Sequence, residues 1–292
     1  MFENCRKIVT QAQKKGYAVG AFDCPNLEML QAVIGAAEEA NAPVIIMATA
    51  NDAKYAGGLD QIASMTQIAA KKAHVPVGLH LDHGKDFDIV KEAIDAGYQS
   101  VMIDAAYLPF EENVALTSKV VNLAHKKGVY VQGELGSLLE GQLKTHPQQE
   151  IENLENYYTD PEKAVEFVKR TKVDSLAVAI GNLHGILKYR IQAPKLDFKR
   201  LETIRKNVTV PLVMHGSSKI SDKNIQQIVK SGVSVFNYRT EFYFAFTERL
   251  RRELVSLPDA YDPRKYLPDA TMAASKVVQK KIHLLGGKNK AK

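Results

Sequence analysis

The chain has only two cysteines, Cys5 and Cys24, in 292 residues. That is too few for the disulfide framework of a secreted scaffold, and it suits a reducing compartment. No apolar run reaches the roughly 18 residues that a membrane span needs, so no transmembrane helix and no membrane partner are expected. The start, "MFENCRKIV", sets an acid before its first base and lacks a long apolar core, so it does not read as a secretory signal. A cytoplasmic protein is expected. There is no repeat of fixed period, no low-complexity segment and no glycine-rich phosphate loop after the first apolar run. Net charge is +6, but the basic residues are dispersed, and the densest group is the terminal "GGKNKAK". No basic stripe interleaves with aromatics, so nucleic acid is not an expected partner. A mildly positive surface is compatible with anionic small molecules.

What is present is a rhythm. The composition, 45% hydrophobic and 25% charged, is enough for a large core. Short apolar runs occur at 17–22, 43–48, 76–82, 100–104, 129–135, 175–180, 211–215 and 233–238. Between them lie amphipathic stretches such as "NLEMLQAVIGAAEEA" and "DFDIVKEAIDAG", the second opened by an Asp and closed at Gly97. Nearly continuous apolar strands imply parallel pairing with both faces covered. Eight of them alternating with helices predict a single (β/α)8 TIM-barrel domain over 1–292, with a doubly wound open sheet as the alternative. Two segments break the rhythm. A polar insertion at about 136–160 has the length of a mobile lid, and about 261–285 reads as an extra C-terminal helical segment.

In this fold the strand C-termini carry the chemistry. Asp82 and His83 end the third run, Asp104 the fourth, Glu134 the fifth, His215 the seventh and Asn237 the eighth, while His184 follows the sixth by four residues. Three imidazoles from three strands fit an open zinc site, and Co, Fe, Ni or Mn would also accept them. Asp104 and Glu134 would then be carboxylate partners of the ligands or ligands of a second cation. Read as bland structure, each His simply caps a strand or bonds a carbonyl. His74, His125 and His283 lie in helix-like stretches, His146 lies in the long insertion, and His80 reads as a hydrogen-bonded core residue. The turns "GNLHG", with Gly181 and Gly185, and "HGSSK", with Gly216, Ser217, Ser218 and Lys219, offer backbone N–H groups to a phosphate.

"HLDHG", "SVMIDAAYLPFEENV", "GELG", "SLAVAIGNLHG", "PLVMHGSS" and "DPRKYL" together resemble the class II, metal-dependent fructose-bisphosphate and tagatose-bisphosphate aldolases, over about residues 7–285. The resemblance implies zinc held by His83, His184 and His215, with Asp82 as the acid/base at the C4 hydroxyl. It also implies a homodimer or homotetramer that cleaves a ketose (bis)phosphate between C3 and C4 to dihydroxyacetone phosphate and an aldehyde, through a zinc-stabilised enediolate. Adjacent strand residues point oppositely, so Asp82 and His83 can share a site only where the strand bends, and Gly84 is expected to permit the bend.

The departures from the family pattern are local. Gln132 stands where a glutamate is usual, and the acidic pair of the mobile loop is absent, leaving Glu140 or Glu150 as stand-ins for the proton-exchange base. "NYRTE" keeps Asn237 and Thr240 of the phosphate segment but inserts Arg239. Lys219 replaces a glycine, and Thr271 replaces an arginine that helps hold the distal phosphate, while Thr49 keeps the small hydroxyl residue of that end. Two other readings stay open: a divergent relative acting on a different anionic ketose or running another enediolate-forming reaction, and a non-catalytic sugar-phosphate-binding relative. A Schiff-base aldolase is disfavoured, because the sixth run ends "AIGN" without a lysine.

Overall fold

The computed structural model describes residues 1–136, 157–182, 195–217 and 220–292. Helix α1 (Cys5–Lys15) precedes β1 (Val19–Asp23), α2 (Leu27–Glu39), β2 (Val44–Ala48), α3 (Ala50–Ala56), α4 (Leu59–Lys72) and β3 (Val77–Gly84). Then follow α5 (Phe87–Asp95), β4 (Ser100–Ile103), α6 (Phe110–Lys126), β5 (Tyr130–Leu135), α7 (Pro161–Thr171), β6 (Ser175–Val178) and α8 (Phe198–Asn207). The chain ends with β7 (Leu212–Met214), α9 (Asp222–Lys230), β8 (Val233–Tyr238), α10 (Thr240–Ser256), a short 3-10 turn (Pro263–Lys265) and α11 (Leu267–Leu284). All eight strands are parallel and close into one barrel, β1 pairing with β8, as the alternation predicts; the open sheet is excluded. The expected C-terminal helix is α11, and most of the long polar insertion lies outside the described residues.

The strands read as unbroken apolar runs because each face is buried against a different partner. Val19, Ala21, Ile45, Met47, Tyr130, Ala177, Val213 and Val235 fill the barrel interior and meet Cys5, Ile8, Val9 and Ala12 of α1, which closes one end. Their neighbours Phe22, Ile46, Leu79, Leu81, Val131, Leu212 and Phe236 face the helical layer. Alternation therefore gives every strand residue an address. Continuing the interior parity to the C-terminal ends brings Asp23 of β1, Asp82 of β3, Asp104 after β4, Glu134 of β5, His215 after β7 and Asn237 of β8 to the mouth. Thr49, one residue past β2, follows the same parity.

His83 is the exception, since its parity would send it into the helices. The backbone resolves this at His83 itself, which sits at φ 49°. Between the Leu81–Val101 and Gly84–Ile103 pairings, β3 runs three residues against two of β4, an inserted-residue bulge. Gly84, expected to supply the bend, has another task. A Cβ there would stand 2.6 Å from the Met102 carbonyl oxygen and 2.7 Å from Val90 Cγ2, so its bare Cα lets α5 and β4 close on the bulge. Helix α5 starts as read, the Asp86 side chain accepting from Ile89 N–H at 2.9 Å.

Candidate active site at the barrel mouth

Strand register and the bulge bring the ionisable groups into mutual contact. His83 Nε2 lies 3.2 Å from His215 Nδ1 and 3.9 Å from Asp82 Oδ2, and His83 Nδ1 lies 2.8 Å from Asp104 Oδ2 and 4.0 Å from Glu134 Oε2. Asn237 donates to Asp82 Oδ1 at 3.0 Å, and its amide also stands 3.3 Å from His215 Nε2. The Gln132 amide lies 2.8 Å from the same Nε2, and Asn182 donates to the His215 carbonyl at 3.1 Å. His215 is thus fixed at both its ring and its backbone. Lys85, at the outer edge, is bonded to Asp104.

Burial makes these charges interdependent. Burial works to lower the His83 imidazolium, yet Asp82, the hydrogen bond to Asp104 and Glu134 carry it up to about 10 in the absence of a metal. Burial, reinforced by the Asp104 charge, pushes Glu134 up to about 8. Burial also raises Asp82, partly offset by His83 and Arg239. Asp104 goes the other way: against burial, His83 and Lys85 hold it well below the usual carboxylate range.

The donor set fits a metal. Two imidazole nitrogens bound to one tetrahedral zinc at about 2.0–2.1 Å would stand about 3.3 Å apart, and His83 and His215 already have that separation. Among the described residues, candidate ligand atoms form two groups, Asp82–His83–His215 and His83–Asp104–Glu134. His184 lies outside the described residues, as do Gly185, Ser218, Lys219, Glu140, His146 and Glu150.

The other expected residues take varied places. Gly181 adopts φ 105°, and a Cβ there would meet the Tyr158 hydroxyl at 2.9 Å, so the strand-six turn needs glycine. Gly216 has φ 65°, and the fully buried Ser217 donates to the Met214 carbonyl at 3.1 Å. Thr240 is the first residue of α10. Thr49 caps α3 through a reciprocal box with Asp52, its hydroxyl bonded to that carboxylate. Arg239 places Nε 3.1 Å from Asp23 Oδ2 and Nη2 3.4 Å from Asp52 Oδ1. Thr271 donates to the Leu267 carbonyl within α11 at 3.0 Å. His80 is the core residue foreseen, its Nδ1 2.7 Å from Ser100 Oγ, and burial lowers it to about 3. His125 and His283 lie in helices, but His74 follows α4 rather than belonging to it.

Four contributors escaped the sequence reading: Asp23, Asp52, Lys85 and Asn182. Asp23 had a usable signal. The first apolar run reads as ending at Phe22, but the parity Val19, Ala21, Asp23 points the next residue into the mouth. Asp52 had none, because its role depends on where α3 places it relative to Arg239, the residue after β8.

With this geometry in place, comparison with known proteins is specific. The model of the family "Fructose-bisphosphate aldolase class-II" matches residues 3–290. Curated fructose-bisphosphate aldolases from Staphylococcus epidermidis and Staphylococcus aureus are 41% identical over 289 residues, covering 98% of this chain and 98% of theirs. Among solved structures, the YdjI aldolase of Escherichia coli K12 superposes with a TM-score of 0.85 at 34% identity, covering 100% of both chains. A putative fructose-1,6-bisphosphate aldolase of Coccidioides immitis gives a TM-score of 0.83 at 27% identity, covering 99% of this chain and 98% of its own. The chain belongs to the class II fructose-bisphosphate aldolase family.

Proposed function

We propose that the chain is a metal-dependent aldolase that reversibly cleaves a ketose phosphate between C3 and C4, releasing dihydroxyacetone phosphate and an aldehyde. Family membership supplies the reaction and its metal dependence, and one observation carries the residue roles. That observation is the meeting of His83, His215 and Asp82 at the end of a bulged strand. His83 and His215, joined by His184, would hold the metal, with zinc the ion that best suits three imidazoles. A bound divalent cation supplies Lewis acidity at the ketose carbonyl.

The remaining work falls to side chains. Asp82 accepts the C4 hydroxyl proton on cleavage and returns it on condensation, and Asn237 holds its Oδ1 in place. The Gln132 amide nitrogen faces His215 Nε2; were Nδ1 to bind the metal, Nε2 would carry the proton, and the Gln132 amide would turn over to accept it through its oxygen. Asp104 accepts from His83 Nδ1, and Asp104 with Glu134 would be the locus of any second cation. Gly181, Gly185, Gly216, Ser217, Ser218, Asn237 and Thr240 are assigned to the phosphate of dihydroxyacetone phosphate, and Glu140 to proton exchange on its carbon.

No described helix is long and apolar enough to cross a membrane, and the two buried free thiols support a cytoplasmic setting. Exposed Leu254, Val255, Leu257, Tyr261 and Met272, on and around α10 and α11, support a homodimer or homotetramer. The test is cleavage of ketose phosphates by zinc-loaded protein before and after chelation. Activity that persists without metal, or trapping of the enzyme by borohydride with substrate, would refute the reading.

A further inference from the structure

The positions that resemble the distal-phosphate end of the family site are already committed to other residues. The Thr49 hydroxyl is bonded to Asp52, Thr271 bonds back into its own helix, and Arg239, inserted in the neighbouring phosphate segment, reaches across to two carboxylates. Tyr243 Oη adds a donor to Asp52 at 3.4 Å, and the Arg239 guanidinium lies 5.3 Å from the Tyr243 ring centre. Two acids therefore face one base, and nothing in this cluster offers net positive charge to a dianion. Asp23 is fully buried, neither of its oxygens accepts a well-formed hydrogen bond, and burial together with the Asp52 charge raises its carboxyl well above the usual range against the pull of Arg239. Arg239 keeps 48% of its side chain exposed. The cluster borders the catalytic acid/base, since the charges of Arg239 and Asp52 both act on Asp82. A buried carboxylate in want of donors, beside a half-exposed guanidinium, suits hydroxyl groups: the acid accepts from them and the guanidinium donates to them. A terminal phosphate would instead bring two negative charges beside the Asp52 carboxylate and the buried Asp23 carboxyl, with the single guanidinium already placed between those two acids, and that discriminates against it.

Resting on the aldolase reading, we propose that the aldehyde half of the substrate is an uncharged polyhydroxy chain, so that the enzyme cleaves a ketose 1-phosphate rather than a bisphosphate, with Asp23 and Arg239 reading its terminal hydroxyls. The chemistry balances without a further reactant. The C3–C4 electron pair stays with C3, which takes up a proton, while C4 becomes the aldehyde as its hydroxyl proton passes to Asp82.

The experiment uses the zinc-loaded enzyme in the condensation direction, with dihydroxyacetone phosphate and matched aldehydes: glyceraldehyde against glyceraldehyde 3-phosphate, and erythrose against erythrose 4-phosphate. The expected result is a kcat/KM at least about tenfold higher for the unphosphorylated member of each pair. Asp23→Asn should narrow that preference about tenfold, chiefly through the KM of the phosphorylated aldehyde. Equal or better use of the phosphorylated aldehydes by the unmodified enzyme overturns the proposal. So does a preference that Asp23→Asn leaves unmoved, and so does condensation with none of the four. If Asp23→Asn does not fold, Asp23→Ser replaces it, and the preference of the unmodified enzyme is decisive by itself. Solvent exchange of the dihydroxyacetone phosphate proton separates the two levels. Exchange with the wrong aldehyde preference defeats this proposal alone, whereas absence of both exchange and condensation defeats the aldolase reading beneath it.

Discussion

On the side of the mouth built by β3, β4, β5 and β7, His83, His215, Asp82, Asp104 and Glu134 crowd together, and in the absence of a metal the carboxylates hold a proton on His83 against its burial. On the side built by β1, β2 and β8, Arg239 answers Asp23 and Asp52, and Thr49 is bonded to Asp52. Both regions bury carboxylates, but they relieve the cost differently. The first leaves its charge to be completed by something from solution, whereas the second sets one guanidinium against two acids, and burial beside Asp52 raises the Asp23 carboxyl. That difference separates a region poised to bind a cation from one poised to bind neutral hydroxyls.

The comparison can be broken at several points. His215→Ala removes half of the 3.2 Å imidazole pair, so bound metal should be lost and cleavage should fall roughly 10³-fold. Metal analysis of the purified variant beside the steady-state rate checks this, and stoichiometric metal with full activity would remove the ligand assignment. Asp82→Asn tests the line between the regions, because Asn237 can still bond the new amide. Metal content should hold while kcat falls about 10²–10⁴-fold; an equal loss of metal would make Asp82 a ligand and not the proton carrier. Gln132→Ala should weaken metal binding about 10–100-fold by freeing the His215 ring, read by competition with a chromogenic chelator. Unchanged affinity would leave Gln132 as filler.

The smallest effect belongs to His80, beneath both regions. Its folded pKa, lowered to about 3, lies below the unfolded value of 6.5, so the unfolded chain binds the proton first. This contribution to stability is intact above the unfolded pKa and is lost as pH falls, by about 1.4 kcal/mol per pH unit between roughly 6 and 3. Urea unfolding at pH 7 and pH 5 should show a loss that His80→Asn reduces; identical losses in the two proteins would mean that His80 is already protonated in the fold.

Sequence alone made the first region legible and the second nearly invisible, for a physical reason. Strand-end residues of fixed parity must point into the mouth, so Asp104, Glu134, His215 and Asn237 could be read from alternation alone. Asp82 and His83 could be read as a pair but not explained, because the one-residue excess in β3 is a property of pairing with β4, and no local pattern encodes it. Gly84 attracted the expectation of a bend because glycine tolerates unusual backbone, yet close approach of Met102 and Val90 is what requires it. Arg239 looked like an intrusion into a phosphate segment, since its meaning lies in Asp23 and Asp52, 216 and 187 residues away along the chain.

The left-handed backbone at His83 restricts which replacements the position can accept. A residue there must satisfy two unrelated criteria, donating an imidazole-like nitrogen and tolerating positive φ, and outside glycine only asparagine, aspartate and histidine commonly meet the second. Cysteine and glutamate, both competent metal ligands elsewhere, would add about 1 kcal/mol or more of backbone strain before any metal bond formed. Drift at this position therefore has few viable intermediates, and anyone recruiting this barrel for a different metal would do better to vary His215, whose backbone φ is unexceptional, than His83.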